Sequence, residues 1–172
     1  MNRKIIISAG HGGNDPGAVA NGYTERDLAI EFRELLVKEL LLLGVKPLID
    51  DNKNALKQTL AWLTGKYSSK DILFDIHWNA ASSKARGTEV IVPDNASIFE
   101  NNFAKNILNV FVSNGLVDNL FTASKESILY SNAVILFTNP SIEFLAGTNL
   151  AGNVLSRVLY SSSFDLLSSL TL

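Results

Sequence analysis

The sequence predicts an α/β fold, a single-domain three-layer sandwich in which a mostly parallel, twisted sheet of about six strands is flanked by helices. Three observations predict it. Short β-branched and apolar runs alternate along the chain with longer stretches of helical periodicity. The chain has 172 residues, the size of one ordinary domain. Cysteine is absent, so a hydrophobic core rather than disulfides or thiolate-bound metal must stabilise the fold.

The first strand and the first helix are the clearest elements of the pattern. Ile5–Ile7 is a continuous β-branched run, as in a strand that is covered on both faces. It leads into a glycine-rich loop from Gly10 to Gly22. Thr24, with Asp27 three residues later, predicts a helix N-cap, and the apolar residues that follow keep helical spacing until Gly44.

The remaining elements follow from shorter apolar runs and their flanking residues. Asp51 or Asn52 is predicted to cap a second helix, which reaches about Thr64. Further strands are predicted at Val45–Ile49, Ile72–Ile76, Thr88–Val92, Val134–Phe137 and Ser141–Leu145. Further helices are predicted from Ile98 to near Gly115 and from Asn149 to Tyr160, before a serine-rich segment at 161–172.

Composition excludes some classes of partner. The formal net charge is −2, so the chain lacks the broad basic surface with which proteins neutralise nucleic-acid phosphates. The apolar run behind the first basic residues is shorter than the roughly 7–15 residues of a signal peptide. No run approaches the roughly 18 apolar residues of a membrane span. We therefore expect no nucleic-acid partner, no membrane span and no export signal, and we expect a monomer.

The two histidines of the chain, His11 and His77, each follow a predicted buried strand. In open α/β sheets, ligands bind at the carboxyl ends of the strands. A catalytic zinc ion commonly takes three His or carboxylate ligands and keeps a fourth position open. Glu25, at the start of the helix after the His11 loop, is the best candidate for the third ligand, although a first-turn acid is also favoured by the helix dipole alone. Less favoured competitors are Asp15, Asp27 and Asp75.

Three sequence blocks resemble the amidase 3 family of zinc-dependent N-acetylmuramoyl-L-alanine amidases. They are AGHGGNDPGA at 9–18, TERD at 24–27, and DIHWNA at 75–80 followed by GTEV at 87–90. A fourth block, PSIE at 140–143 with Asn149 beyond it, resembles the family's last strand and its acid. The blocks occur in the family's order and span nearly the whole chain.

The resemblance implies a function and assigns residues to it. His11, Glu25 and His77 would bind Zn²⁺, and Glu143 would be the catalytic acid–base group, accepting a proton from the attacking water and passing it to the amine leaving group. The substrate would be peptidoglycan, cut at the amide bond between N-acetylmuramic acid and L-alanine, with degradation of the cell wall as the result. Residues 1–160 would form the catalytic domain, and 161–172 a C-terminal tail or linker remnant.

Other interpretations of the same residues stay open. A zinc peptidase that cuts within the peptidoglycan stem peptide would use the same ligands, whereas a non-catalytic cell-wall binding module, or a metal-binding α/β domain with another substrate, would share only the fold. Asn79, Glu89 and Asp15 are candidates for orienting the metal ligands, and Trp78 is expected to pack. Since no signal peptide is predicted, we expect a phage-type endolysin released through holin lesions, or an exported enzyme whose signal has been trimmed.

Overall fold

The computed structural model describes residues 4–20, 22–68, 71–78, 87–113, 119–124 and 133–139. The helices in these ranges are α1 (Glu25–Leu42), α2 (Leu56–Lys66) and α3 (Ile98–Ser113). The strands are β1 (Ile5–Ala9), β2 (Val19–Ala20), β3 (Tyr23–Thr24), β4 (Leu48–Ile49), β5 (Ile72–Trp78), β6 (Gly87–Pro93), β7 (Asn119–Ser124) and β8 (Ala133–Asn139).

Six of the described strands form one sheet, in the order β4-β1-β5-β8-β6-β7. Neighbouring strands are parallel except at β6 and β8, which pair antiparallel. The strands β2 and β3 form a separate two-stranded antiparallel hairpin. The predicted α/β class, with a mostly parallel sheet flanked by helices, is therefore confirmed.

The two faces of the sheet carry different helices because successive strand residues point to opposite sides. Ile7 packs in the core cluster that contains the buried faces of α1 and α3, whereas Ile6 packs with Leu63 of α2 on the other face. Both isoleucines are at most 1% exposed. The continuous apolar run that predicted β1 thus reflects a strand covered by helices on both sides.

Both ends of α1 match the sequence signals. The Thr24 hydroxyl accepts a hydrogen bond from the Asp27 backbone N–H (3.1 Å). At the other end Gly44 adopts φ +80°, and the backbone N–H groups of Gly44 and Val45 donate to the carbonyls of Leu41 and Leu40. Val45 therefore belongs to the helix end, and the predicted strand Val45–Ile49 is shorter than expected, since β4 contains only Leu48–Ile49.

Other local predictions were wrong or incomplete. The N-cap of α2 is Ala55, without a side-chain hydrogen bond, and the Asp51 carboxylate instead accepts from the Lys53 N–H within the preceding turn (2.9 Å). His77 lies inside β5 rather than after it. Strand β7 was not predicted, and the glycine-rich segment before α1 contains the β2–β3 hairpin rather than loop alone.

Several predicted segments lie outside the described residues: the strand Ser141–Leu145, the helix Asn149–Tyr160, and residues 161–172, so the domain boundary at 160 stays a prediction. Within the described part of the chain, no helix combines the length and apolarity required to cross a bilayer.

Candidate metal centre

Three elements bring His11, Glu25 and His77 to one edge of the sheet. His11 follows the end of β1, where the Gly10 N–H donates to the Ile76 carbonyl (2.8 Å) and continues the pairing of β1 with β5. His77 is the next-to-last residue of β5, and Glu25 is the first residue of α1. One ligand atom from each of the three side chains lies within 4.8 Å of those from the other two.

The Glu25 carboxylate stands between the two imidazoles. Its Oε2 lies 3.4 Å from Nε2 of His11, and its Oε1 lies 2.9 Å from Nδ1 of His77. Backbone N–H groups of Ala18 (2.9 Å) and Trp78 (3.0 Å) donate to the same two oxygens. Burial raises the pKa of Glu25, but the hydrogen bonds from His77 and from these N–H groups outweigh it and lower the pKa below its usual range. Glu25 is therefore ionised near neutral pH, as a metal ligand must be.

Each histidine has an aspartate at its other ring nitrogen. Nδ1 of His11 lies 2.9 Å from Oδ2 of Asp15, and Nε2 of His77 lies 3.1 Å from Oδ2 of Asp75. The hydrogen bond with His11 lowers the pKa of Asp15. Burial lowers the pKa of His77, but the contacts with Asp75 and Glu25 outweigh it and raise this pKa to about 9. Each imidazole thus lies between Glu25 and an aspartate.

Glycines allow the backbone to approach the site closely. A Cβ atom at Gly10 would lie 2.0 Å from Cε1 of His77. A Cβ at Gly17, where φ is +61°, would lie 2.5 Å from Oε2 of Glu25 and 2.7 Å from Cδ2 of His11. Side chains at these two positions would displace the candidate ligands, so Gly10 and Gly17 are required for the close packing of the backbone on the site.

The donor set fits a zinc ion. Two imidazoles and one carboxylate are a ligand set used by catalytic zinc sites, and three protein ligands leave a coordination position for water or substrate. The other sequence candidates differ in their placement. Asp27 is 61% exposed and pairs with Arg26 (2.7 Å), and neither Asp15 nor Asp75 belongs to the group whose atoms converge.

A small open cavity adjoins Glu25. It is lined by Ala18, Ala20, Tyr23, Thr24, Glu25, Leu28 and Trp78, so the β2–β3 hairpin supplies one of its walls. The ring of Trp78 packs edge-on against Phe32, with 6.3 Å between centroids, as expected for a packing role. This hairpin was not predicted, although Asn21-Gly22 is a strong signal for a two-residue hairpin turn and Gly22 adopts φ +83°.

The structure does not describe every candidate residue. Glu143, the candidate catalytic acid, and Asn79 lie outside the described residues. Glu89 lies in β6, where it pairs with Phe137 of β8, and Phe137 in turn pairs with His77 of β5. Glu89 is therefore at the level of His77 but two strands away, and the group whose ligand atoms converge consists of His11, Glu25 and His77.

Comparison with known sequences identifies a family. The family model described as N-acetylmuramoyl-L-alanine amidase, amidase 3, matches residues 5–143. Two curated proteins are similar over shorter segments. The uncharacterized protein YqiI of Bacillus subtilis (strain 168) is 33% identical over 90 residues, which are 51% of this chain and 43% of that protein. The probable autolysin PH of Staphylococcus aureus is 32% identical over 108 residues, or 52% of this chain and 22% of that protein. The chain thus spans less than half the length of either relative.

Solved structures share the fold. An N-acetylmuramoyl-L-alanine amidase from Clostridium difficile 630 superposes with a TM-score of 0.73 at 23% identity, covering 98% of this chain and 99% of that one. The catalytic domain of the amidase CwlV from Bacillus (Paenibacillus) polymyxa var. colistinus gives 0.72 at 20% identity, covering 96% and 98%. The catalytic domain of the CD27L endolysin, which targets Clostridia difficile, gives 0.68 at 17% identity, covering 92% and 97%. At these identities the likeness concerns the fold.

Proposed function

The chain belongs to the N-acetylmuramoyl-L-alanine amidase family, amidase 3, and on that premise we propose that it hydrolyses the amide bond between N-acetylmuramic acid and L-alanine in peptidoglycan. The proposal includes a Zn²⁺ ion bound by His11, Glu25 and His77. The observation that carries it is the convergence of these three side chains, from three separate elements, at the carboxyl edge of β1 and β5. The resemblance found in the sequence blocks implies the same ligands.

The chain's own residues prepare this site for the metal. Glu25 is held by two backbone N–H groups, so its carboxylate is oriented before any metal binds. The histidine nitrogens that face Glu25 lie on opposite oxygens of that carboxylate, and one ligand atom from each of the three side chains lies within 4.8 Å of the others, close enough to bind one ion together. When bound, zinc lowers the pKa of a coordinated water toward about 7 and polarises the scissile carbonyl.

Proton transfer is assigned to Glu143 in this proposal. Amide hydrolysis needs a group that takes a proton from the attacking water and returns it to the amine that leaves. Glu143 is the last residue that the family model matches, and it stands in the block that resembles the family's terminal acid. Because peptidoglycan is the proposed substrate, the proposed activity takes place at the bacterial cell wall. The monomeric state and the route to the wall stay predictions.

Metal binding is tested first, with zinc measured by elemental analysis in wild type, Glu25→Gln, His77→Ala and Glu31→Gln. Glu31 is an exposed acid on the same helix as Glu25 and serves as the matched control. We expect one zinc per chain in wild type and Glu31→Gln, and loss of zinc in the other two. Full zinc stoichiometry in His77→Ala would show that the metal assignment is wrong.

The reaction is tested by digesting purified peptidoglycan and identifying the new N-termini. New L-alanine N-termini support the amidase, N-termini within the stem peptide indicate a peptidase, and no new termini indicate a wall-binding module. Glu143→Ala should retain zinc but lose about 10²-fold or more in rate, the usual contribution of a general acid–base group. Undiminished cleavage by Glu143→Ala would overturn its assignment.

A further inference from the structure

We propose that Asp75 is a positioning residue that fixes the orientation of the His77 ring, and so the nitrogen that the ring presents, for metal binding. This inference rests on the metal site proposed above. The sequence suggests Asp75 only as a less favoured metal ligand, and its placement in the structure points to a different role. Its Oδ2 approaches Nε2 of His77, the ring nitrogen opposite the one that faces Glu25.

The Asp75 carboxylate is held from the neighbouring strand. Asp75 and Ser8 are direct partners in the parallel pairing of β1 and β5, and the Ser8 hydroxyl donates to Oδ1 of Asp75 at 2.6 Å. Ser8 is fully buried, and the Asp75 side chain is 15% exposed. One oxygen of Asp75 is thus fixed by the sheet, which leaves the other directed at His77.

His77 is consequently constrained at both ring nitrogens. A carboxylate at Nε2 favours the form in which that nitrogen keeps its proton, so Nδ1, on the side of Glu25, is the nitrogen that would give up its proton to bind a metal. The same hydrogen bond increases the electron-donating strength of the imidazole toward a metal. Since Asp75 and His77 are two residues apart on one strand, they point to the same side of the sheet and keep this relation as long as β5 is formed.

Asp15 provides an internal comparison at the other histidine. Its carboxylate also faces the outer ring nitrogen of its partner, His11, but it is 34% exposed. Asp15 also accepts a hydrogen bond from the Gly17 N–H, two residues away in the same loop (3.1 Å), and its pKa is lowered by the Leu56 N–H at the start of α2 to a smaller extent. Asp15 is thus one-third exposed and held mainly by groups of its own loop, whereas Asp75 is anchored to β1 through the buried Ser8. We therefore expect the metal site to depend more on Asp75 than on Asp15.

The test compares zinc affinity, by competition with a chelator, in wild type, Asp75→Ala, Asp75→Asn, Ser8→Ala and Asp15→Asn. Asp75→Ala should weaken zinc binding by about 10–100-fold, the usual cost of losing such a partner. Asp75→Asn should fall between wild type and Asp75→Ala, because its amide oxygen still accepts a hydrogen bond from Nε2. Ser8→Ala should also weaken zinc binding, but by less than Asp75→Ala does. Asp15→Asn should weaken zinc binding by less than Asp75→Asn does.

Nitrogen NMR of the zinc-loaded proteins separates positioning from a structural role. In wild type the nitrogen chemical shift of His77 Nε2 should be that of a protonated, hydrogen-bonded ring nitrogen. This chemical shift should change in Asp75→Ala and largely return to the wild-type value in Asp75→Asn. Asp15→Asn should leave this signal unchanged.

The outcomes distinguish failure of the proposed metal site from failure of the role proposed for Asp75. Absence of zinc from wild type would overturn the metal site and this inference together. Zinc in wild type with unchanged affinity in Asp75→Ala would overturn the inference alone. If Asp75→Ala fails to fold, wild-type zinc affinity in both Asp75→Asn and Ser8→Ala would overturn the inference. Equal losses of zinc affinity in Asp15→Asn and Asp75→Asn would also overturn it.

Discussion

Gly10 lets the backbone at the end of β1 lie directly against the His77 ring. A Cβ atom there would lie 2.0 Å from Cε1 and 2.3 Å from Nε2, so in Gly10→Ala the ring has to move. We expect zinc affinity to fall by about tenfold or more, with a loss of unfolding free energy of about 1–3 kcal/mol from overpacking. Chelator competition and urea unfolding measure the two effects.

Gly65→Ala is the matched control for that substitution. Gly65 lies in α2, and a Cβ there would meet no heavy atom within 4 Å. The change should leave zinc affinity unaltered and raise the free energy of unfolding by about 0.5–1 kcal/mol, since alanine loses less backbone entropy than glycine in a helix. Wild-type zinc affinity in Gly10→Ala would contradict the close packing of Gly10 on His77.

At the residue scale, the local sequence pattern predicted the candidate ligands but not the side chains that hydrogen-bond around them. His11 and His77 were recognisable because each lies at the end of a buried apolar run, and the family blocks singled out Glu25. The contact of Ser8 with Asp75 was not predictable, because it joins residues 67 positions apart and depends on β1 lying beside β5. The order of strands in a sheet is a property of the tertiary fold, which local periodicity does not contain.

At the scale of elements, Asp71 ties the start of β1 to the connection between α2 and β5. Its carboxylate accepts hydrogen bonds from the Lys4 backbone N–H (3.0 Å) and from the N–H and hydroxyl of Ser68 (both 2.9 Å). Burial raises the pKa of Asp71, but these hydrogen bonds outweigh it and hold the pKa below its usual range. The ionised form of Asp71 therefore stabilises the fold.

The sign of that pKa shift predicts how Asp71→Asn changes stability with pH. The contribution of Asp71 is fully present above its unfolded pKa of about 3.9 and is lost as the pH falls through the lower folded value. Asp71→Asn should lower the free energy of unfolding by about 1–3 kcal/mol at pH 7, and its difference from wild type should narrow below pH about 4. Urea unfolding over this pH range measures both.

A control for Asp71→Asn is the same change at Asp94, an exposed acid in the turn after β6. It should alter stability by less than about 0.5 kcal/mol. If the difference in the free energy of unfolding between Asp71→Asn and wild type stayed constant as the pH was lowered, the assigned direction of the Asp71 pKa shift would be wrong.

Elements with strong end signals were predictable, and weakly patterned ones were not. Thr24 and Gly44 marked both ends of α1 because capping chemistry is local. In β7, NLFTAS contains few β-branched residues, so its strand conformation depends on pairing with β6 rather than on its own propensity.

At the scale of the whole molecule, one buried ion pair connects the three layers. Arg33 of α1 and Asp50, which follows β4, are each nearly inaccessible to solvent. The guanidinium binds the Asp50 carboxylate and also the Asn52 side chain. The same carboxylate accepts hydrogen bonds from the Ala9 N–H at the end of β1 (3.2 Å) and from the Thr59 hydroxyl of α2 (3.0 Å). Asp50 thus links α1, the sheet and α2 at the end of β1, two residues before His11.

Removal of one partner from this pair should destabilise the entire domain. Arg33→Met leaves the Asp50 charge buried without compensation and should lower the free energy of unfolding by about 3–5 kcal/mol, measured by urea unfolding at pH 8. Arg26→Met is the control: it removes an ion pair with the exposed Asp27 and one hydrogen bond to the Gly13 carbonyl (3.0 Å), and should cost only about 1–2 kcal/mol. Arg33→Met combined with Asp50→Asn should recover part of the loss, because the amide keeps hydrogen-bonding groups without the charge.

The pH dependence of Arg33→Met separates an uncompensated charge from simple loss of packing. Burial already raises the pKa of Asp50 above its usual value, against the opposing effects of Arg33, Ala9 and Thr59. Without Arg33 the pKa rises further, so Asp50 takes up a proton as the pH falls and the buried charge disappears. The loss of unfolding free energy in Arg33→Met, relative to wild type, should therefore be larger at pH 8 than at pH 5. If urea unfolding gave the same deficit at both pH values, lost packing rather than the buried charge of Asp50 would account for it.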